Sequence, residues 1–397
     1  MDNSWALAYT GGKAGPADST QTPFVIGYVN DEGGTLAYPE ATQGIEAGVK
    51  YLNAELGGIG GRPIQLEKCL IQTEEDGQKC GTQLVNDAKV QFVITGTLAI
   101  GAKSLYAVLS GKKPTIVGNP VVNEDFLTPD TYAFTPGSPG VLQGMAVFTA
   151  KNLPNVKKVA VIYANNPAGT IGFTLLTKPP LAKLGITDVT GVPISDTATA
   201  SDVATALQAA GADKADVLIP LTSVQQCIST YDALQSLGIK PTVVTTGLCF
   251  GTPMTKHLQD LGSKDVVPDG WYFGGYGYSY FVPDAASGMA TYVAKVHQYG
   301  PPDVEYTGFA GPDFADLMTA VQLVNKIGVA NVTPDTMRQA LLGFAGPMMI
   351  VVGPMKCGAN PTFKSLCGTH MNIQQYKSGQ WIQTAPDIDP VSVLAAA

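Results

Sequence analysis

Short apolar runs alternate along the chain with longer segments whose apolar residues recur at helical spacing. The first run, residues 24–29, is rich in β-branched and aromatic side chains, and the segment 39–56 places Ile45, Val49 and Leu52 on one helical face. Further runs of the first kind follow at residues 92–94, 115–117, 159–163, 217–220 and 242–245. Strands separated by helices predict right-handed βαβ units, and therefore a doubly wound α/β fold with parallel sheets.

A glycine-rich turn at residues 53–66 (NAELGGIGGRPIQL) connects the first predicted helix to the next strand. Gly57 and Gly58 can take the positive φ that a helix C-terminus needs, and Arg62-Pro63 favours an extended entry into the strand. A dinucleotide-binding fingerprint would follow a strand and open a helix, which is the reverse of this context. The turn therefore indicates a structural connection rather than a nucleotide site.

The length of 397 residues predicts two domains of roughly 150 to 200 residues each. Apolar residues make up 45% of the chain and charged residues 14%, which is typical of a compact, well-packed protein. The net charge is −8, and basic residues cluster only in pairs such as Lys157-Lys158. Neither nucleic acid nor an anionic membrane surface is therefore expected as a partner.

The sequence contains few motifs that would indicate export or catalysis. No uninterrupted apolar run could span a bilayer, and Met1-Asp2-Asn3 does not open a signal peptide, so for an exported protein we expect that the signal was removed. There is no nucleophile elbow, phosphate-binding loop or zinc-protease motif, and His257, His297 and His370 lack metal-ligand spacing. We therefore expect no catalytic residue, no metal and no cofactor. An α/β enzyme would need a nucleophile or an acid–base pair that the sequence does not display.

The cysteines indicate the compartment. They fall into three sequence-local pairs: Cys69 with Cys80, Cys227 with Cys249, and Cys357 with Cys367. Each pair could form a disulfide worth roughly 3 kcal/mol, which would require oxidising surroundings. Other pairings are possible, and six reduced thiols in a cytosolic enzyme are the alternative.

Three segments carry a resemblance to a known family: residues 27–66 (from GYVNDEGG to the glycine-rich turn), 93–102 (VITGTLAIGA) and 159–173 (VAVIYANNPAGTIGF). Over residues 22–385 the chain resembles the type I periplasmic binding proteins, specifically the branched-chain amino-acid-binding (Leu/Ile/Val-binding) substrate-binding proteins of ABC transporters. The resemblance implies two Rossmann-like α/β lobes, three hinge crossings near residues 132–140, 269–276 and 344–352, and a ligand cleft between the lobes. It assigns residues 1–22 to an N-terminal tether, 23–136 with 272–345 to lobe 1, and 137–271 with 346–387 to lobe 2. The chain beyond Asp387 is expected to be frayed.

The same resemblance implies a set of ligand-binding positions. They are Tyr38, Thr97, Leu98, Ala99, Ile100, Val122 and Asn123 in the first lobe, Ala168, Thr222, Ser223, Gly247 and Leu248 in the second, and Tyr276 and Tyr278 at the second crossing. Several depart from the family pattern: the serine-rich carboxylate-binding turn has become apolar at residues 96–101, Ala168 replaces a tyrosine, and Gly247 stands where amino-acid binders place a glutamate. The aromatic residues of 271–281 could stack on a ligand or could pack as a core strand with a bulge.

These departures make a free α-amino acid an unexpected ligand, because burying an ammonium group without a carboxylate partner costs several kcal/mol. We expect a non-enzymatic, extracytoplasmic receptor that captures an apolar or ring-bearing organic acid (aromatic, alicyclic or steroid-like) by hinge closure and delivers it to an ABC-transporter permease. The alternatives are a binder of branched-chain amino acids or amides, a ligand sensor, or an enzyme that uses the cleft. The protein is expected to be a monomer, with a lipid tether in its precursor.

Overall fold

The computed structural model describes residues 2–33, 37–360 and 362–397. Internal contacts divide the chain into two units, unit 1 (Met1–Pro136 and Tyr278–Gly368) and unit 2 (Gly137–Gly277 and Thr369–Ala397). The chain therefore passes between the units at residues 136–137, 277–278 and 368–369, where the sequence analysis gave 132–140, 269–276 and 344–352. The third passage lies later because the Cys357–Cys367 loop belongs to unit 1: Ala133 N–H donates to Ser365 O (2.9 Å), and Cys367 N–H donates to Ala133 O (2.8 Å).

Unit 1 is built around a parallel sheet. Its strands are β1 (Phe24–Asp31), β2 (Ile64–Ile71), β3 (Val93–Thr97), β4 (Thr115–Asn119) and β5 (Thr131–Tyr132), in the order β2-β1-β3-β4-β5. Its α-helices are α1 (Ser4–Thr10), α2 (Pro39–Glu55), α3 (Glu74–Asn86), α4 (Ala102–Leu109), α5 (Asn123–Leu127), α12 (Met289–Tyr299), α13 (Ala310–Ile327) and α14 (Pro334–Leu342). Every residue of β1 and β3 is buried, as expected for central parallel strands covered on both faces.

Unit 2 contains a larger, mixed sheet. Its strands are β6 (Lys158–Ala164), β7 (Asp188–Ile194), β8 (Val217–Leu221), β9 (Thr242–Thr246), β10 (Tyr272–Gly275), β11 (Met371–Lys377) and β12 (Gln380–Ile388), in the order β12-β11-β10-β9-β8-β6-β7. Its α-helices are α6 (Gly137–Lys151), α7 (Pro167–Ile171), α8 (Lys178–Lys183), α9 (Ala200–Ala209), α10 (Val224–Leu237), α11 (Thr252–Asp260) and α15 (Pro390–Ala396). Strands β6 to β10 pair in parallel, whereas β11 is antiparallel to both β10 and β12.

The doubly wound parallel arrangement predicted from the apolar runs is confirmed, since the six predicted strands coincide with β1, β3, β4, β6, β8 and β9. The glycine-rich turn also has the predicted backbone: φ is +72° at Gly57 and +63° at Gly58. The Asn53 side chain then ties the helix end to β2, accepting from Ile64 N–H (2.8 Å) and donating to Ile64 O (3.0 Å). The helix and the following strand are therefore joined by side-chain as well as backbone geometry.

The two termini differ from the sequence analysis. Residues 4–10, assigned there to a tether, form α1, which packs on α13 through the hydrogen bond between Tyr9 Oη and Thr319 Oγ1 (2.8 Å), while Trp5 Nε1 donates to Ala286 O (3.0 Å). At the other end, the chain beyond Asp387 continues as strand β12 and then α15, capped by Asp389. In both cases a short apolar segment is stabilised by contacts with residues far away in sequence.

The three predicted disulfides are present: Cys69–Cys80, Cys227–Cys249 and Cys357–Cys367. No cysteine is free. Searching the described residues, we find no helix with the length and apolar character that crossing a membrane requires.

Two carboxyl groups of α13 lie in the interior of unit 1. Asp313 accepts hydrogen bonds from Tyr28 Oη (2.9 Å) and Asn119 Nδ2 (3.0 Å), while neither oxygen of Asp316 has a partner among the described residues. Both side chains are fully buried, and this burial raises the pKa of each carboxyl well above its usual value. The interior of unit 1 therefore favours the neutral, protonated form of both carboxyl groups.

Candidate functional site

The carboxyl ends of β1, β3 and β4 lie side by side in unit 1. The strands are neighbours in the sheet, and Thr97 at the end of β3 pairs with Asn119 at the end of β4. The loops that follow these strands carry the predicted residues Tyr38, Thr97 to Ile100, Val122 and Asn123. Open α/β sheets bind their ligands beyond this edge, so the structure brings these predicted residues to the edge where a site is expected.

The side chains at this edge of unit 1 are mostly apolar and partly covered. Leu98 and Val122 are buried, while Ala99, Ile100 and Asn123 are half-buried. The ring of half-buried Tyr38 stands edge-on to Phe309 at 5.4 Å between centroids. Within the apolar turn expected at residues 96–101, only Ala99 and Ile100 are therefore partly exposed.

Asp31 is a residue at this edge that the sequence analysis missed. It ends β1, is fully buried, and its Oδ2 accepts hydrogen bonds from the backbone N–H groups of Ala99 (2.7 Å) and Ile100 (3.1 Å). Its Oδ1 has no partner among the described residues, and neither does Thr97 Oγ1. Burial raises the pKa of Asp31 to about 7, against the lowering effect of the two amides.

A second buried carboxylate holds the next loop in the same way. Asp125 Oδ2 accepts from the backbone N–H groups of Val121 (2.8 Å) and Val122 (3.0 Å), and its Oδ1 accepts from Tyr106 Oη (2.7 Å). Burial again raises the pKa, to about 7. The two loops at this edge are thus each fixed by an acid, but Asp125 uses both oxygens and Asp31 uses one.

The carboxyl ends of β6, β8, β9 and β10 bring a second group of predicted residues together in unit 2. Half-buried Ala168, buried Thr222, exposed Ser223 and half-buried Leu248 lie on the loops after β6, β8 and β9. The Cys227–Cys249 disulfide ties the loop after β8 to the loop after β9. Half-buried Tyr276 follows β10 directly.

Gly247 has little room for a larger residue. A Cβ atom at this position would lie 2.8 Å from Cζ of the Phe250 ring. A carboxylate side chain there would require the Phe250 ring to move. Thr246, the residue before it, has a buried hydroxyl with no partner among the described residues.

Polar residues of the β6 loop were also missed. Asn166 caps α7, because its Oδ1 accepts from Gly169 N–H (2.9 Å), and its Nδ2 donates to Asp196 at 3.1 and 3.3 Å. A cap asparagine before Pro167 is visible in the sequence as a helix start signal. Its contact with Asp196 is not, since it depends on the pairing of β6 with β7.

The aromatic run at residues 271–281 is divided by the structure. Trp271 and Phe273 pack inside unit 2, as the alternative of a core strand expected. Tyr278 is in unit 1, where it is 39% exposed and its N–H donates to Ile350 O (2.9 Å). A cavity of about 500 Å³ next to Trp271 and Tyr272 lies at the amino ends of β9 and β10, away from the carboxyl edge. Within the described ranges, no group of three His, Cys, Asp or Glu side chains could hold a metal ion.

The family model and the solved structures that resemble this chain belong to one kind of protein. The family described as "Periplasmic binding protein" matches residues 23–383. Among curated protein sequences, none matches this chain. Similar solved structures include a leucine-binding protein from Thermotoga maritima, with a TM-score of 0.71 and 12% identity, covering 93% of this chain and 99% of that one.

Two further structures extend this comparison. One is an ABC-transporter solute-binding protein from R. palustris in complex with 4-hydroxybenzoate (TM-score 0.71, 16% identity, 92% of this chain and 96% of that one). The other is a fatty-acid ABC-transporter substrate-binding protein from Thermomonospora curvata (TM-score 0.70, 16% identity, 97% of this chain and 96% of that one). At these identities the likeness shows the fold.

Proposed function

The chain belongs to the periplasmic binding protein family, and from that premise we propose that it captures a small organic molecule outside the cytoplasmic membrane and delivers it to the permease of an ABC importer. In this proposal the loops at the carboxyl edge of each sheet carry the ligand-binding residues, and capture proceeds by hinge closure. Family members are ligand-binding components of transporters, and the same role without catalysis is proposed here.

The observation that carries this proposal is the composition of the two carboxyl edges. Each combines apolar side chains with buried polar atoms that have no partner among the described residues; Leu98, Val122 and Phe250 are buried, while Ile100 in unit 1 and Leu248 in unit 2 are half-buried. Binding pockets for small molecules have this composition, because apolar surface supplies affinity and a few polar groups set orientation. The polar atoms concerned are Asp31 Oδ1, Thr97 Oγ1 and Thr246 Oγ1.

An apolar or ring-bearing organic acid is the ligand class that these surfaces favour. In unit 2 the Phe250 ring fills the space beside Gly247, so no carboxylate is placed there to receive an α-ammonium group. Proteins of this fold from R. palustris in complex with 4-hydroxybenzoate and with benzoate, and a fatty-acid ABC-transporter substrate-binding protein, support this ligand class. A ligand bearing an amine or amide is the second candidate, favoured by the unpaired oxygen of Asp31.

Export is proposed on two grounds. The three disulfides need an oxidising compartment, and members of the family work outside the cytoplasm. We propose a monomer held at the cell surface or in the periplasm, with a lipid anchor in the precursor.

A thermal-shift screen tests the proposed function. Purified protein is heated with benzoate, 4-hydroxybenzoate, cyclohexanecarboxylate, a fatty acid, a steroid acid, leucine or leucinamide. A ligand at 100 times its Kd stabilises the folded state by about 2.7 kcal/mol, which is several degrees in Tm. A shift with the organic acids and none with leucine is expected. A shift with leucine alone would overturn the ligand class, and no shift with any compound would count against the proposed function.

A further inference from the structure

Asp31, the last residue of β1, uses only one of its two carboxylate oxygens to hold the loop after β3. Asp31 Oδ2 alone accepts both backbone N–H groups of the loop after β3, at 2.7 and 3.1 Å. Asp216 in unit 2 shows that one oxygen suffices for this task, because its Oδ2 accepts from the N–H groups of Lys157 (2.8 Å) and Lys158 (2.9 Å). Asp216 is exposed, so water can solvate its other oxygen, whereas Oδ1 of Asp31 is buried.

Burying an unpaired carboxylate oxygen is unfavourable, and the neighbouring acid avoids it. Asp125 holds the next loop with Oδ2 and pairs its Oδ1 with Tyr106 Oη at 2.7 Å. A buried acceptor without a donor carries the full cost of its lost hydration. Holding the loop needs only one oxygen, so Oδ1 of Asp31 is left for a partner that the described residues do not provide.

A second buried group without a partner among the described residues lies on the same face of the sheet. The last pair of β1 and β3 is Val29 opposite Thr95, and Asp31 and Thr97 each lie two residues further along their own strand, where side chains return to the same face. Side chains at opposite positions of parallel strands project to the same face of the sheet. Two buried polar groups, Asp31 Oδ1 and Thr97 Oγ1, therefore share one face at the carboxyl edge of unit 1, beneath the half-buried Ala99 and Ile100.

We propose that Asp31 determines ligand specificity: its Oδ1, on the same face of the sheet as the Thr97 hydroxyl, accepts a hydrogen bond from a hydroxyl or N–H group of the ligand. The inference rests on the proposed function and adds a chemical requirement to it, namely a donor on an otherwise apolar molecule. The donor lies at the end of the ligand remote from any carboxylate, because a ligand carboxylate next to ionised Asp31 would be repelled. A donor at Oδ1 also favours the ionised carboxyl, which burial alone disfavours.

The decisive variant is Asp31→Asn, which changes the polarity of one atom. The amide oxygen can keep both backbone hydrogen bonds, and the amide nitrogen then takes the place of Oδ1, so that an acceptor becomes a donor. Asp216→Asn is the matched control, since it makes the same exchange in a carboxylate that also holds two backbone N–H groups but lies exposed at the amino end of β6. Thr97→Val removes the second polar group while leaving Asp31 in place.

Binding is measured by calorimetry with two probe pairs that differ by one donor group remote from the carboxylate: 4-aminobenzoate with benzoate, and 4-aminophenylacetate with phenylacetate. The amino group is the sharper probe because, unlike a hydroxyl, it hardly accepts a hydrogen bond. The wild type is expected to bind one amino-bearing probe at least about 10-fold more tightly than its partner, as sites that pair a polar group discriminate against analogues lacking it. Asp31→Asn should abolish this preference, Thr97→Val should reduce it, and Asp216→Asn should leave it unchanged.

The outcomes separate this inference from the proposed function. Wild-type protein that binds a pair without preference, or Asp31→Asn protein that keeps the preference, overturns the role of Asp31 and leaves the proposed function standing. Equal weakening of both members of a pair by Asp31→Asn would also overturn it, because the residue would then act only by holding the loop. If Asp31→Asn does not fold, a preference unaffected by Thr97→Val decides against the inference. No binding of any probe to the wild type removes the proposed function, and this inference with it.

Discussion

Removing the Cys227–Cys249 disulfide is expected to destabilise unit 2 and to weaken ligand binding together. The bridge joins the first turn of α10 to the short 3-10 helix Gly247–Phe250, and both sulfur atoms belong to fully buried residues. It therefore fixes the loops after β8 and β9 against each other. The perturbation is the double substitution Cys227→Ala/Cys249→Ala.

The magnitude follows from the length of the closed loop. The two cysteines are 22 residues apart, and in the chain-entropy model a cross-link of this span restricts the unfolded chain by about 3.4 kcal/mol at 25 °C. For a domain the size of unit 2, a change of 1 kcal/mol moves Tm by about 3 °C. The variant is therefore expected to unfold roughly 10 °C below the wild type. The small cavities left by the two sulfur atoms act in the same direction.

Tryptophan fluorescence during urea unfolding is the assay. Trp271 and Trp381 belong to unit 2, and Trp5 belongs to unit 1, so a Trp5→Phe background makes the signal specific to unit 2. The matched control is Cys357→Ala/Cys367→Ala, which removes a bridge of unit 1 with a separation of 10 residues. This control should leave the fluorescence transition of unit 2 where it is.

An unchanged urea midpoint for the Cys227 and Cys249 variant would refute the reasoning, because the bridge would then not restrict the unfolded chain as its span requires. Free thiols in the native wild-type protein would refute it earlier, by showing that the bridge does not form. The predicted weakening of ligand binding is tested separately. If the variant, once folded at low temperature, binds the screening ligand as tightly as the wild type, the bridge does not order the loops for binding.

Two further predictions concern the interior of unit 1. Gly44→Ala is expected to cost about 3 kcal/mol of unfolding free energy, since the new Cβ would lie 2.2 Å from the backbone oxygen of Ala310. Gly48→Ala should cost clearly less in the same urea titration, because its Cβ would meet only side-chain atoms, at 3.0 Å or more. Equal losses would contradict the close approach of α2 and α13. Asp316→Asn is expected to raise Tm by an amount that grows as pH rises above the ordinary pKa of an aspartate. Burial raises the pKa of Asp316, so the folded state keeps a proton that the unfolded state releases, and the stability of the wild type falls as pH rises toward the folded pKa. A Tm difference that does not grow with pH would show that Asp316 is not held neutral.

The order of strands and helices followed from local patterns. Residues 24–29 and 217–220 are apolar and rich in β-branched residues over a strand length, and the Gly57-Gly58 doublet marks a helix end by a backbone conformation that other residues rarely adopt. The cysteine pairs could also be predicted from the sequence, because each bridge closes a short loop. The resemblance to a family then located the loops that carry the candidate site.

The sequence by itself thus predicted the class of fold and the local cysteine pairs that form the disulfides, since each depends on residues close together in the chain. Tertiary structure decided the rest. The role of Asp31 depends on amides 68 and 69 positions away, the restriction at Gly247 on the orientation of the Phe250 ring, and the docking of α1 on a hydroxyl of Thr319, 310 positions from Tyr9. Burial and pairing of a polar group are properties of what surrounds it in space, and local sequence does not specify that environment.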